Sequence, residues 1–179
     1  MFLLVMKQQL IKKLSLAMLA VAGACPFVSA QSGAVYHKSA EEVKADANDS
    51  VIIATMVDPQ VTDATNNGSA PDWESIRANV ALKYDGTAAD RAITKKRIYY
   101  YYYKDWSLFS TAIVHYTEAY ESKDNLKIMN VNAKYVLKYS MNPSEWKTAE
   151  GWVKRAMEKD PSNSGYKETY DALEAKIKG

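Results

Sequence analysis

Three tryptophans constrain the fold of this chain most strongly, because the same helical pattern follows each of them. An acidic residue directly precedes Trp73, Trp106 and Trp146, and apolar residues follow at offsets of three and seven. These offsets place one apolar stripe along an amphipathic helix, and an acidic residue stabilises a helix N-terminus. The tryptophans are 33 and 40 residues apart, the interval of a repeated helix pair. The pattern predicts an all-α fold.

Partner helices are predicted between and after the tryptophan helices. Thr87 with Asp90 is a variant N-cap for a helix to about Tyr103, and Asp124 precedes a second amphipathic segment. Asn142 and Pro143 combine an N-cap with proline at the first helical position, and a last helix runs from residue 166 to about 177. The sequence therefore predicts about three antiparallel helix hairpins over residues 72–179.

Residues 31–71 are predicted to form an N-terminal segment and linker that is mostly irregular. Ser39 and Glu42 have the spacing of a capping box, which favours a short helix to about Ala47. The apolar run 51–57 is compatible with a strand or with a buried helical turn, because periodicity does not separate the two at this length. Residues 58–71 are rich in Asp, Asn, Thr, Gly and Pro, which is typical of a linker.

The first 30 residues have the pattern of a secretory signal peptide. They contain three lysines, no acidic residue, an apolar run and the small-residue site Val28-Ser29-Ala30. Cleavage there predicts a periplasmic or secreted protein without a transmembrane anchor. The alternative is a lipoprotein acylated at Cys25. Without this leader the chain has 20 basic and 21 acidic residues, so its charge gives no reason to expect a nucleic-acid partner.

Two sets of residues have the spacing of tetratricopeptide repeats. The first set matches the second helix of such a repeat, and the other set matches the first helix: Ala149, Val153, Ala156 and Pro161; and Trp106, Phe109, Ser110 and Ile113. Residues 72–178 therefore resemble a tetratricopeptide-like stack. This resemblance implies that the predicted hairpins pack one after another.

A narrower resemblance rests on Asp72-Trp73, the tyrosine run 99–103, Lys104-Asp105-Trp106 and residues 152–156. These segments are similar to the helical C-terminal region of secreted bacterial proteins that carry a thioredoxin domain. The chain lacks the Cys-x-x-Cys of that domain. The resemblance therefore implies an envelope protein without the redox residues of those relatives.

Five successive tyrosines, 99–103, are the most unusual feature of the chain. On one helix they would cover its whole circumference, which fits either packing on two sides or a tyrosine-lined groove for a peptide or glycan. The neighbouring Lys95-Lys96-Arg97 is either a solvated basic face or a patch that steers an acidic ligand. Trp152 lies off the apolar stripe of its helix, so we expect a partly exposed ring. The candidate binding residues are Tyr99, Tyr102, Tyr103, Trp106 and Trp152.

No catalytic, metal or cofactor motif is found in the sequence. The single cysteine lies in the leader, and His37 and His115 have no companion ligands in sequence. We therefore expect a non-catalytic helical scaffold of the bacterial cell envelope that binds a protein or peptide partner. One alternative is an accessory protein of a thiol–disulfide system, and another is a hydrolase that uses two carboxylates.

Overall fold

The computed structural model describes residues 35–179, and within that range the chain is all-helical without strands. The predicted all-α class is confirmed. The predicted leader and the acylation alternative at Cys25 lie outside the described residues. The elements are α1 (Ala40–Ile52), a π-helical segment (Ile53–Val57), α2 (Asp58–Asn66), α3 (Trp73–Ala81), α4 (Gly86–Tyr101), α5 (Trp106–Tyr120), α6 (Leu126–Tyr139), α7 (Pro143–Lys159) and α8 (Ser164–Lys178).

Side-chain caps begin most of these helices, as the local sequence predicts. Asp72 and Asp105 accept hydrogen bonds from backbone N–H groups three residues further along, and Asn142 caps the helix that starts at Pro143. Two predicted caps were wrong by one or two residues. Asp85, rather than Thr87, caps α4, and Asn125, rather than Asp124, caps α6. The start of each capped helix is thus determined by hydrogen bonds within a few residues.

The prediction of a mostly irregular N-terminal segment was wrong. The capping box of Ser39 and Glu42 is present, but the helix continues beyond Ala47, and residues 58–66 are helical rather than a linker. Ile52, Val57 and Val61 are buried against α3 and α4. Packing of these side chains outweighs the low helix propensity of the Asp, Asn and Thr residues around them.

The π-helical segment lies between α1 and α2 because Pro59 interrupts the α-helical pattern. Proline has no N–H group, and its ring collides with the carbonyl four residues earlier in a regular α-helix. The helix widens instead, and the Asp58 N–H group donates to the Ile53 carbonyl, five residues back. The wider turn brings Ile52 and Val57 to the same buried face although they are five residues apart.

Within the described residues the helices enclose two hydrophobic cores. The N-terminal core comprises Ile52, Val57, Val61, Ile76, Val80, Ala88, Ala89, Ala92 and Ile93. The C-terminal core comprises Phe109, Ile113, Met129, Ala133, Val136, Ala149, Trp152, Val153, Ala156, Tyr166 and Leu173. Helix α4 contributes to the N-terminal core, and Ile98 near its end packs against the C-terminal core.

From α4 onward each helix packs on the next, and α5 and α6 also contact α7 and α8, respectively. This order is compatible with successive hairpins, and the tetratricopeptide-like register stays a prediction. Across residues 35–179, none of the helices combines the length and apolar character needed to cross a bilayer.

Candidate functional site

The predicted binding residues lie around the connection between α4 and α5. Helix α4 ends at Tyr101, and Tyr102 leaves the helix as its C-cap with φ −55° and ψ 123°. The prediction of a helix to about Tyr103 was therefore wrong by two residues. Lys104 and Asp105 both donate backbone hydrogen bonds to the Tyr101 carbonyl, which closes the turn before Asp105 caps α5. The tyrosine run is split between a helix and a loop.

Six rings form an aromatic cluster in this region: Tyr102, Tyr103, Trp106, Phe109, Tyr135 and Tyr139. Trp106 stacks on Tyr139 with ring centroids 4.1 Å apart. The edges of Tyr102 and Tyr103 meet Trp106, each with a centroid separation of 5.5 Å. Phe109 is buried beneath these rings and belongs to the C-terminal core. The cluster thus joins the α4–α5 loop to α5 and α6.

Tyr103 has an unusual backbone and an unusual exposure. Its φ of 67° lies in the left-handed region, where a side chain with a Cβ costs about 1–2 kcal/mol. The residue is nevertheless 73% exposed. The hydrogen bond between the two phenols, together with burial, raises the pKa of Tyr102 to about 12. An exposed aromatic ring is thus held at a strained position beside a protonated phenol.

The other tyrosines of the run point elsewhere. Tyr100 and Tyr101 pack around Trp73, with ring centroids 5.3 and 6.1 Å from it. The Lys104 ammonium group lies 3.7 Å from the centroid of the Tyr100 ring. Tyr99 is 61% exposed and takes no part in the aromatic cluster. The structure therefore brings Tyr102, Tyr103 and Trp106 together and leaves Tyr99 apart.

The prediction of a partly exposed ring at Trp152 was wrong. Trp152 is 3% exposed in the C-terminal core, and its indole N–H donates to Glu118 at 2.5 Å. The flank of α7 that carries Trp152 is covered by α5, which contacts α7 as well as α6. The apolar stripe of a single helix does not predict a contact with another helix that is distant in sequence. Trp152 therefore belongs to the C-terminal core and takes no part in the aromatic cluster.

The basic patch Lys95-Lys96-Arg97 is occupied by contacts within the molecule. Lys95 pairs with Asp46 and Asp49, and Lys96 pairs with Asp58 at 2.6 Å. The Arg97 guanidinium lies 5.9 Å from the centroid of the Tyr101 ring. These interactions fasten the N-terminal helices to α4, so this patch is a poor candidate for steering an acidic ligand.

A second basic surface, on α6, was missed in the sequence. Lys127, Lys134 and Lys138 are exposed, and Val131 lies between them on the same face. Their spacing of four, three and four residues is the signal that would have identified one face of a helix. Lys138 also lies 5.0 Å from the centroid of the Tyr139 ring, which connects this face to the aromatic cluster.

Asp90 is the centre of a polar cluster formed by α3, α4 and α5. It accepts from Tyr120 at 2.5 Å, contacts His115 Nε2 at 2.8 Å and lies 3.5 Å from Arg77. Burial alone would raise the pKa of Asp90, but the hydrogen bonds from Tyr120 and His115 outweigh it and leave the pKa lowered. No group of three His, Cys, Asp or Glu side chains within residues 35–179 is arranged to hold a metal ion.

Comparison of the chain with models of protein families, with curated proteins and with solved structures gave no significant match.

Proposed function

We propose that this protein is a non-catalytic helical scaffold of the bacterial cell envelope that binds a protein or peptide partner through the aromatic cluster. The observation that carries this proposal is Tyr103, whose ring is exposed while its backbone has a left-handed φ of 67°. Neither burial nor backbone preference accounts for a tyrosine at this position. Strained residues of this kind are concentrated at binding and active sites.

The chemistry of the cluster fits recognition of a polypeptide. Tyrosine and tryptophan are enriched among the residues that dominate binding energy at protein interfaces. Their rings are rigid, so they supply a large contact area at a small entropy cost, and the phenol hydroxyls add hydrogen bonds. Trp106 is held by rings on several sides, which keeps the surface organised before a partner arrives.

The scaffold and envelope parts of the proposal rest on the sequence. The signal-peptide pattern supports export, and the tetratricopeptide resemblance supports a stack of helices, an architecture that offers extended surfaces for binding without chemistry. An accessory role in a thiol–disulfide system would be one form of this function, with a thioredoxin-domain protein as the partner.

The test is a pull-down from envelope extract with the predicted mature chain, residues 31–179, beside two single variants. Tyr103→Ala removes the exposed ring of the cluster. Tyr99→Ala removes a comparably exposed phenol that lies outside the cluster, so it is the matched control. We expect wild type and Tyr99→Ala to capture the same partner and Tyr103→Ala to lose it, with circular dichroism confirming that all three are folded.

Other results would contradict the proposal in distinguishable ways. Equal capture by all three proteins would mean that the aromatic cluster is not the binding surface. Loss with Tyr99→Ala alone would transfer the site to the other side of α4. Failure of the wild-type chain to retain any envelope protein would contradict the binding function itself.

A further inference from the structure

The outer face of α6 carries a row of positive charges that forms no ion pair within residues 35–179. Lys127, Lys134 and Lys138 are exposed along this face, and no Asp or Glu occurs anywhere in the helix Leu126–Tyr139. No carboxylate of residues 35–179 forms an ion pair with any of the three. We call these three lysines, with Val131 between them, the basic face of α6.

The basic face contrasts with the other lysines that occur in a row. Lys95 and Lys96 on α4 are paired with Asp46, Asp49 and Asp58. A row of like charges on one helix face is unfavourable unless a partner of opposite charge approaches. The basic face is thus complementary to a negatively charged ligand.

The basic face is continuous with the aromatic cluster. Tyr135 and Tyr139 directly follow Lys134 and Lys138 on α6, and the Tyr139 ring stacks on Trp106. The Lys138 ammonium group lies over the Tyr139 ring, at 5.0 Å from its centroid. A ligand that lies along α6 would therefore contact the lysines and, beside Lys134 and Lys138, the rings of Tyr135 and Tyr139.

The dimensions of the basic face match an extended peptide. An α-helix rises 1.5 Å per residue, so Lys127 and Lys138 are about 16 Å apart along the axis, which equals about five residues of extended chain. Lys134 and Lys138 are about 6 Å apart along the axis, and side chains two residues apart on one side of an extended chain are about 6.6 Å apart. Carboxylates at alternate positions would thus face both lysines.

We propose that the partner segment recognised by this protein is an extended acidic peptide, with alternate carboxylates on Lys134 and Lys138 and an apolar end on the aromatic cluster. This inference rests on the proposed binding function and specifies its ligand. Three lysines in single file are fewer than the four to eight basic residues that typically bind an anionic membrane surface. The flanking tyrosines also supply the apolar and hydrogen-bonding contacts that side chains and backbone of a peptide use.

The experiment measures binding of a defined peptide to the protein purified after expression of the full chain. The probe is a fluorescein-labelled peptide in which three glutamates alternate with valines and a phenylalanine follows, read by fluorescence anisotropy. The matched probe has glutamine in place of each glutamate. We expect the glutamine probe to bind about tenfold more weakly, and added salt to weaken the acidic probe alone, because screening acts on the charged pairs.

Two double variants locate the site. Lys134→Gln with Lys138→Gln should weaken the acidic probe about tenfold, because two ion pairs are lost. Lys147→Gln with Lys154→Gln makes the same charge change at exposed positions of α7, and should alter the affinity less than about twofold. Equal effects of the two double variants would overturn the proposal, because net charge and not the basic face would then govern binding. Equal affinity of the acidic and glutamine probes would overturn it as well.

The Tyr103→Ala variant separates this inference from the proposed function. If the pull-down depends on Tyr103 while the peptide shows no preference for glutamate, the binding function stands and the acidic ligand is wrong. If the α6 lysines determine peptide affinity while Tyr103→Ala captures the envelope partner normally, the contacts of the carboxylates with the lysines stand, and both the aromatic binding surface and the docking of an apolar peptide end on it are wrong. Sedimentation equilibrium tests whether the protein associates with itself. If it does, and if the α6 double variant abolishes this association, the basic face binds a second copy of the chain and the proposal of a peptide ligand is overturned.

Discussion

Among the described residues, each half of the molecule buries one carboxylate, and the two are satisfied in different ways. Asp49 on α1 accepts from Arg91 Nε at 2.9 Å and lies 2.7 Å from Lys95 Nζ. Glu145 on α7 has three hydroxyl donors instead: Ser110 and Thr111 at 2.7 Å, and Ser140 at 2.6 Å. Cations therefore compensate the first charge and neutral donors compensate the second.

The positions of the two carboxylates explain why these different partners suffice. Glu145 is in the first turn of α7, where the helix dipole favours negative charge, so hydroxyl groups complete its environment. Asp49 lies inside the helical stretch that α1 and the π-helical segment form together, away from a helix N-terminus, so the positive charges of α4 compensate it. Because Asp49 and Ile52 are the buried residues of α1, attachment of that helix depends strongly on electrostatics. Attachment of α5 to α7 depends more on packing and neutral hydrogen bonds.

The largest expected loss of stability follows from removing the buried charge of Asp49. Asp49→Ala leaves Arg91 and Lys95 without their buried partner, which should cost about 3 kcal/mol and lower the melting temperature by about 6–12 °C. Asp46→Ala is the control on the same helix, because its half-buried carboxylate contributes a weaker pair with Lys95. Thermal denaturation followed by circular dichroism measures both. An equal decrease of the melting temperature in the two variants would contradict the expectation that the buried carboxylate contributes more stability than the half-buried one.

A smaller loss of stability is expected when Glu145, which accepts hydrogen bonds from three hydroxyl groups, is replaced. Glu145→Ala leaves the Ser110 and Ser140 hydroxyls without their acceptor, which should cost about 2 kcal/mol, while Glu145→Gln retains an acceptor and should cost less. Denaturant unfolding at low and high salt tests the comparison. The loss at Asp49 should shrink slightly with salt, because its partners Arg91 and Lys95 remain 18% and 20% exposed, whereas the loss at Glu145 should not change, since no cation pairs with it. Equal salt sensitivity would mean that both sites depend on charge.

The smallest expected effect is a pH-dependent change of melting temperature when either of two other carboxyl groups, Glu121 and Asp90, is replaced. Burial, opposed by the hydrogen bond from Asn125, raises the pKa of Glu121 above its ordinary 4.5. The folded state thus disfavours the charged form, so Glu121→Gln should raise the melting temperature at pH 7. The gain should disappear once the pH falls below the ordinary value, because both states are then protonated.

Asp90 should respond with the opposite sign. Its pKa is lowered below the ordinary 3.8 because hydrogen bonds outweigh burial, so its charged form stabilises the fold above that value. Asp90→Asn should therefore lower the melting temperature at pH 7, and the loss should diminish as the pH falls through the lowered pKa. Melting curves of both variants at several pH values provide the measurement. Shifts of the same sign at neutral pH would contradict the assigned environments.

The candidate site was only partly predictable from the sequence. Tyr102, Tyr103 and Trp106 lie within five residues of one another, so their proximity follows from the chain itself. Tyr135 and Tyr139 join them only because α6 packs on α5. The end of the helix at Tyr101 was not predicted, because five identical residues in a row contain no signal for a helix end. The basic face of α6 was visible as a spacing of lysines, but its lack of ion pairs depends on every neighbouring helix.

What the sequence by itself determined are the features that depend on contacts within a few residues: the all-α class, the caps at Ser39, Asp72 and Asp105, and the apolar stripes after the tryptophans. The tertiary structure alone decided that residues 48–66 are helical, that Trp152 is buried, and that Tyr100 packs on the N-terminal core while Tyr101 and Tyr102 pack on the C-terminal core. Local hydrogen bonds and side-chain periodicity are encoded in neighbouring residues, whereas burial is a property of the surfaces that distant helices bring together.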